Sequence, residues 1–222
     1  MSEDIILPVR KCLRLKYYNY SNPGLYFLTL CTHKKANLFW RYPFSSMTLN
    51  PAGTMLQHWL DEMEKAFPLS IDCSTIMPNH LHAIIQLNDP TAGGHHEPQG
   101  FMAGSGPPLR DLTSTDLVGA DLCVGPPQAV SIDTATPSIP TIIQWFKTMS
   151  TNAYIRGVKT AAFQPYNGQL WQRSFYDHVI RTEKSHNNIR TYIANNPLKW
   201  DQDAENANVK MEVKKYYNDL LS

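Results

Sequence analysis

Two alternating runs separated by a turn restrict the fold of this chain more than any other feature. Residues 71–77 and 80–87 both have strand-like patterns, and Pro78-Asn79 lies between them. Such runs joined by two turn-forming residues predict a tight antiparallel β-hairpin. Because successive strand side chains point to opposite faces, His80 and His82 share one face and the intervening apolar residues share the other. The hairpin therefore combines a chelating face with a core face.

The histidine pair has two interpretations at this point. Imidazole nitrogens bind several divalent ions, but two ligands do not complete a metal site, so further ligands must come from elsewhere in the chain. Alternatively, His80 and His82 are solvated or hydrogen-bonded side chains that bind nothing.

Apolar periodicity and capping residues predict the remaining elements. These are a strand over residues 25–32, a helix from Asn50-Pro51 to Phe67-Pro68, a helix from Ile139-Pro140, a long strand over residues 169–180, and a helix from Thr182 to Asn196. Their order predicts a single α+β domain of the ferredoxin-like, split β-α-β type. We expect an antiparallel sheet with helices on one face and an appended C-terminal helix.

Residues 89–138 interrupt this layout. They are rich in Gly and Pro and show little apolar periodicity, and residues 89–140 contain six Asp and Glu against one Arg. Such a stretch buries too little apolar surface to offset its ordering entropy, so we expect a flexible acidic insertion that is dispensable for chemistry. Residues 201–222 are expected to form a C-terminal tail.

Positive charge is concentrated in one part of the chain. The whole chain has a net charge of +1, but residues 141–200 contain eight Lys and Arg against two Asp and Glu. A local basic face is what binding to nucleic-acid phosphates requires. The candidate phosphate contacts are Arg14, Lys16, Lys147, Arg156, Lys159, Arg173 and Arg181. We expect Lys147, Arg156 and Lys159 at exposed helix positions, while the arm that carries Arg14 and Lys16 is equally explained as an ordinary solvated segment.

The last predicted helix carries two polar residues on its apolar stripe. Ile189, Tyr192, Ile193 and Asn196 fall at helical spacing and should pack toward the sheet. A tyrosine hydroxyl can act as a covalent nucleophile, and an Asn oxygen is a suitable ligand for Mg²⁺ or Mn²⁺. Alternatively, Tyr192 is a core residue and Asn196 only ends the helix.

Three separated motifs narrow these alternatives. Residues 77–82, 171–181 and 189–197 read MPNHLH, WQRSFYDHVIR and IRTYIANNP. In this order and spacing they resemble the single-tyrosine HUH transposases, in particular the REP-associated tyrosine transposase branch. The resemblance covers roughly residues 20–200 apart from the insertion.

The resemblance implies a role for each motif residue. His80 and His82 would bind the divalent cation, Mg²⁺ or Mn²⁺, and Tyr192 would be the nucleophile. Asn196 would be a further metal ligand, at a position where the insertion-sequence branch carries Gln. In the second motif His178 is left open between supporting the metal site, contacting DNA and being only a strand residue, and Tyr176 is the competing nucleophile.

The resemblance also implies an activity. Enzymes of this family cut single-stranded DNA beside an imperfect hairpin, leaving a 5′-phosphotyrosine and a free 3′-hydroxyl that can rejoin another end. This transesterification is isoenergetic, so no nucleotide cofactor is expected. The rivals are a replication-initiator or relaxase-like HUH nickase and a hairpin-binding regulator without catalysis.

Fewer features of the sequence bear on the cellular location of the protein and on its oligomeric state. No run approaches the roughly 20 apolar residues of a membrane span, and the first residues lack the pattern of a signal peptide, so we expect a cytoplasmic protein. The four cysteines are widely scattered and are expected to be reduced thiols. Family resemblance is compatible with both a monomer and a homodimer.

Overall fold

A computed structural model describes residue 15 and residues 17–43, 46–89, 137–203 and 205–206. Arg14, Lys16, nearly all of the predicted insertion and most of the predicted tail lie outside the described residues. No helix in these described ranges is both long enough and apolar enough to cross a membrane.

The described residues form a four-stranded sheet and three α-helices. The strands are β1 (Gly24–Cys31), β2 (Leu69–Ile76), β3 (His80–Leu87) and β4 (Tyr176–Ile180), and the helices are α1 (Pro51–Ala66), α2 (Ile139–Lys159) and α3 (Glu183–Asn195). Neighbouring strands are antiparallel, in the order β2-β3-β1-β4. This arrangement confirms the predicted α+β, split β-α-β fold. A 3-10 helix, Pro197–Gln202, follows α3.

The element boundaries follow from the capping residues. The side chain of Asn50 accepts a hydrogen bond from the Gly53 amide at 3.0 Å, and Pro51 occupies the first turn of α1. The Thr182 hydroxyl accepts a hydrogen bond from the Ser185 amide at 3.1 Å at the start of α3. Both contacts satisfy amides that the first helical turn leaves without intrahelical partners.

The two faces of the sheet are covered differently. The larger core lies on the face covered by α1 and α2 and includes Tyr26, Leu28, Leu30, Leu56, Leu60, Leu81, Ala83, Ile85, Ile142, Ile143 and Phe146. A smaller core lies under α3, where Ile189 and Ile193 pack with Phe27 and Ile84. The apolar stripe of the last helix therefore packs on the sheet as predicted, and it covers the histidine-bearing face of β3.

The long strand predicted over residues 169–180 is wrong in its first half, because only Tyr176–Ile180 form β4. The Lys147 ammonium donates to the carbonyl oxygens of Gln172, Arg173 and Ser174 at 2.8, 3.4 and 3.1 Å. A cation bound to three successive carbonyls holds this segment as a loop, so it does not continue the strand ladder.

The same contacts correct the expectation for Lys147. This residue is 9% exposed, and its ammonium also lies 5.5 Å from the centre of the Phe175 ring. A buried ammonium that donates to three carbonyls has an internal structural role. Lys147 is therefore not at an exposed helix position.

Candidate metal and nucleophile site

The two histidines of β3 form the centre of the candidate site. Both side chains are fully buried, and their Nε2 atoms are 3.0 Å apart. They lie side by side on the α3-facing side of the sheet, as the alternation of strand residues requires. The two imidazoles therefore share one face of the strand, as predicted, and that face lies beneath a helix.

Each imidazole is oriented by a hydrogen bond at Nδ1, the ring nitrogen that faces away from the other histidine. His80 Nδ1 lies 2.7 Å from Asn79 Oδ1, and His82 Nδ1 lies 2.8 Å from Thr29 Oγ1. The Asn79 Nδ2 group donates to backbone carbonyls of Lys35 and Glu205 at 3.3 and 2.8 Å. Asn79 Oδ1 is therefore left to accept a hydrogen bond from the Nδ1–H group of His80, which leaves His80 Nε2 with an unprotonated lone pair facing His82.

Burial keeps both imidazoles neutral. Desolvation, followed by the positive charge of Lys35, lowers the pKa of His80 to about 3. Desolvation, with a smaller contribution from His80, lowers the pKa of His82 well below its ordinary value. Neutral imidazole is the form that binds metal ions.

The spacing of the two nitrogens suits one octahedral cation. Two ligand atoms at about 2.1 Å from one ion, at right angles to each other, are about 3.0 Å apart. This matches the 3.0 Å separation between the Nε2 atoms. The hydrogen bonds to Asn79 and Thr29 resemble the partners that orient metal-binding histidines in general.

A carboxylate that no sequence pattern predicted completes this cluster. Asp203 is 6% exposed, and its Oδ2 lies 4.0 Å from His80 Nε2. One ligand atom from each of His80, His82 and Asp203 lies within 4.8 Å of the others. The Glu205 amide donates to Asp203 Oδ1 at 2.6 Å, and this contact orients the carboxylate. No periodicity or motif marked Asp203, which belongs to the segment interpreted as a tail.

Asn196 carries two buried polar side-chain atoms. It is 2% exposed and follows the last residue of α3, one turn beyond Tyr192. Among the described residues, neither its Oδ1 nor its Nδ2 has a hydrogen-bond partner. Buried amides are rarely left unpaired, so this observation fits a side chain that requires an additional ligand.

Tyr192 brings its hydroxyl to the histidine pair. Its oxygen lies 3.2 Å from His82 Nε2, and its ring packs edge-to-face against Phe27 with centroids 6.2 Å apart. The side chain is only partly buried. The structure thus brings together His80, His82 and the Tyr192 hydroxyl, and it adds Asp203.

The two candidates of the second motif lie farther across the sheet. Tyr176 and His178 are on β4, which β1 separates from β3. Burial, and then the charge of Asp177, raises the pKa of Tyr176, whereas burial followed by Arg181 lowers the pKa of His178. Tyr176 pairs with Thr29 and His178 with Phe27 on β1, so His178 keeps its three alternatives: supporting the metal site, contacting DNA, or being only a strand residue.

Four of the candidate phosphate contacts are exposed and described: Arg156, Lys159, Arg173 and Arg181. They come from the end of α2, the loop before β4 and the residue after β4. Because these four side chains are exposed, they remain candidates for phosphate contacts, whereas the buried Lys147 does not.

The chain is similar to several known proteins. No protein-family model matches it. A REP-associated tyrosine transposase solved with a bound REP hairpin is 17% identical, with a TM-score of 0.46, over 84% of this chain and 74% of that chain. A Deinococcus radiodurans protein provisionally described as a transposase is 13% identical, with a TM-score of 0.33, over 82% of this chain and 97% of that chain.

A relative of similar length shows the family. A Haemophilus influenzae protein, itself described as uncharacterized, is 33% identical over 195 residues, which cover 87% of this chain and 91% of the relative. At this identity and coverage, the chain belongs to the same protein family as that Haemophilus influenzae protein.

Proposed function

We propose that this protein is a metal-dependent single-strand DNA endonuclease and strand transferase of the tyrosine transposase type. Tyr192 is the proposed nucleophile, and the substrate is single-stranded DNA with an adjoining hairpin. The motif resemblance supplies the class of reaction. The observation that carries the proposal is the 3.2 Å contact between the Tyr192 hydroxyl and His82 Nε2, beside a second buried histidine and a buried carboxylate.

The proposed cation is Mg²⁺ or Mn²⁺, held by His80 and His82 with Asn196 and Asp203 as the further ligands. Two neutral imidazoles, an amide oxygen and a carboxylate form a mixed nitrogen and oxygen set that such ions accept. A bound cation would polarise a phosphate oxygen and stabilise the charge that develops on it. A fourth ligand from Asp203 adds a negative charge, which strengthens the site for a divalent ion.

The chain's own residues account for the rest of the proposed reaction. The Tyr192 oxygen attacks the phosphorus and forms a phosphotyrosine bond, while the bond from phosphorus to the departing 3′-oxygen breaks. The tyrosine hydroxyl loses one proton and the departing 3′-oxygen gains one. One phosphodiester is exchanged for another, so the step consumes no nucleotide.

The ring of Phe27 contributes to this geometry. It packs against both Tyr192 and His82, with centroids 6.2 and 5.4 Å away. A rigid aromatic contact limits the orientations open to the nucleophile and to the metal-binding imidazole, which is what a fixed attack geometry requires.

A covalent-adduct assay tests the nucleophile. Labelled single-stranded oligonucleotides tiled across the DNA beside the gene are incubated with the protein and Mn²⁺, and adducts are resolved on a denaturing gel. Tyr192→Phe should bind the oligonucleotide but form no adduct. Tyr176→Phe is the matched control, because its ring also lies 6.2 Å from Phe27, and it should still form one. The opposite result would make Tyr176 the nucleophile, and binding without any wild-type adduct would favour a hairpin-binding regulator.

A metal titration tests the ligands without reference to activity. We expect calorimetry with Mn²⁺ to show one site in the wild type. Asp203→Asn and Asn196→Ala should each weaken it at least about ten-fold. The exposed ion pair between Glu62 and Lys65 provides a control, since Glu62→Gln removes a carboxylate without touching the site. Wild-type Mn²⁺ affinity in Asp203→Asn would exclude this carboxylate as a ligand.

A further inference from the structure

A carboxylate on β2, the outer strand of the sheet, contacts two side chains of α3, the helix that carries Tyr192. Asp72 Oδ2 lies 3.0 Å from His186 Nε2 and 3.4 Å from Arg190 Nε. Asp72 and His186 are each 20% exposed at their side chains, and Arg190 is 52% exposed. His186 and Arg190 are one turn apart on α3, so a single carboxylate holds one flank of the helix.

An irregularity in β2 accounts for the position of Asp72. Ile71 pairs with Ile85 on β3, whereas Cys73 pairs with Ile84, so two steps on β2 match one step on β3. Asp72 is therefore the extra residue of a β-bulge, a device that re-aims side chains beside functional sites. Glu64 of α1 supports this bulge, because its Oε1 accepts the Ile71 amide hydrogen at 2.6 Å.

Helical geometry connects this cluster to the proposed nucleophile. Ile189 and Ile193 form the centre of the buried stripe of α3. At 100° per residue, Arg190 lies on one side of Ile189 and Tyr192 on the other. Rotation of α3 about its axis would therefore break the Asp72 contacts and move the Tyr192 hydroxyl away from His82.

The effect of such a rotation can be estimated. A group about 6 Å from the helix axis moves by about 1 Å when the helix turns by about 10°. A displacement of about 1 Å can reduce a catalysed rate by about a hundred-fold. Contacts that resist small rotations of α3 therefore affect the attack geometry even though they are remote from the phosphate.

We propose that Asp72, through His186 and Arg190, is a positioning residue that sets the rotation of α3 and so the placement of Tyr192. This role rests on the proposed function. Asp72 does not touch the histidine pair through any of these contacts, so its loss should change the reaction rate while the metal and DNA sites stay intact.

Hydrogen exchange tests the contact itself, independently of activity. In Asp72→Asn, the amides of α3 should exchange at least about five-fold faster than in the wild type. Glu62→Gln is the matched control, because it also removes a carboxylate from an ion pair, on the exposed surface of α1. Equal α3 exchange in Asp72→Asn and in Glu62→Gln would overturn the proposal at this step.

Single-turnover adduct formation at saturating oligonucleotide and Mn²⁺ tests the consequence. Asp72→Asn should lower the rate constant about ten- to hundred-fold, with the dissociation constants for Mn²⁺ and oligonucleotide unchanged within about two-fold. Arg190→Gln should give a smaller loss, because it breaks only one of the two contacts of Asp72. Adding it to Asp72→Asn should cause no further loss, because Asp72→Asn already breaks the contact with Arg190.

The possible failures are distinguishable. A wild-type rate in Asp72→Asn, or a rate loss explained entirely by weaker oligonucleotide binding, overturns the positioning role and leaves the proposed function intact. A wild-type chain that forms no adduct overturns the proposed function and the positioning role together. The exchange experiment then still decides whether Asp72 holds α3.

Discussion

The buried histidine pair should make the metal-free protein sensitive to acid. His80 has no exposed surface, and burial lowers its pKa to about 3, from 6.5 in the unfolded chain. The unfolded state therefore binds a proton at this residue between pH 6.5 and 3, and the folded state does not. Because the folded pKa is the lower one, stability is fully present above pH 6.5 and decreases as the pH falls below it.

The size of this effect follows from the pKa shift. Each pH unit inside the window costs about 1.36 kcal/mol for one proton. Lowering the pH from 7 to 5 should therefore reduce the free energy of unfolding by about 2 kcal/mol through His80 alone. His82 contributes in the same direction, since burial also lowers its pKa.

Urea denaturation in EDTA between pH 7 and pH 5 measures this loss. His80→Gln should be less stable at pH 7 but should lose about 2 kcal/mol less than the wild type on acidification. His58→Gln is the matched control, because it makes the same replacement at an exposed histidine of α1, outside the buried pair. Saturating Mn²⁺ at pH 7 should raise the wild-type stability, by about 2.7 kcal/mol at a hundred times the dissociation constant. The same pH slope in His80→Gln and the wild type would refute this reasoning.

Three further outcomes are expected. Lys147→Met should destabilise the fold by about 1–3 kcal/mol in urea, because three carbonyls lose their donor, whereas Lys159→Met should change stability little. Gly157→Ala should cost about 1–3 kcal/mol, since a β-carbon there would clash with the Phe163 ring; an unchanged melting temperature would contradict this packing. Arg181→Gln should reduce the log-log salt slope of single-stranded oligonucleotide binding by about 0.7 if Arg181 contacts a phosphate, as fluorescence anisotropy can measure.

Much of the fold was predictable because its signals are local. The hairpin before His80, the caps at Asn50 and Thr182, and the stripe of α3 all follow from periodicity and from neighbouring residues. The same local signals placed His80 beside His82 and put Tyr192 on a buried helix face. These features depend on side chains within a few residues of one another, so the sequence alone could determine them.

Other features depend on contacts between distant parts of the chain. Lys147 and the loop it holds are about 25 residues apart, and this contact holds residues 172–174 out of the strand predicted before Tyr176. Asp203 and His80 are far apart in the sequence but adjacent in the fold, and Asp72, which contacts α3, lies at the bulge of β2. No local pattern encodes such contacts, because each requires the sheet and its helices to be assembled first. Local patterns predicted most of the elements and the histidine and tyrosine pattern, whereas contacts formed only in the assembled fold select the charged side chains that lie beside them.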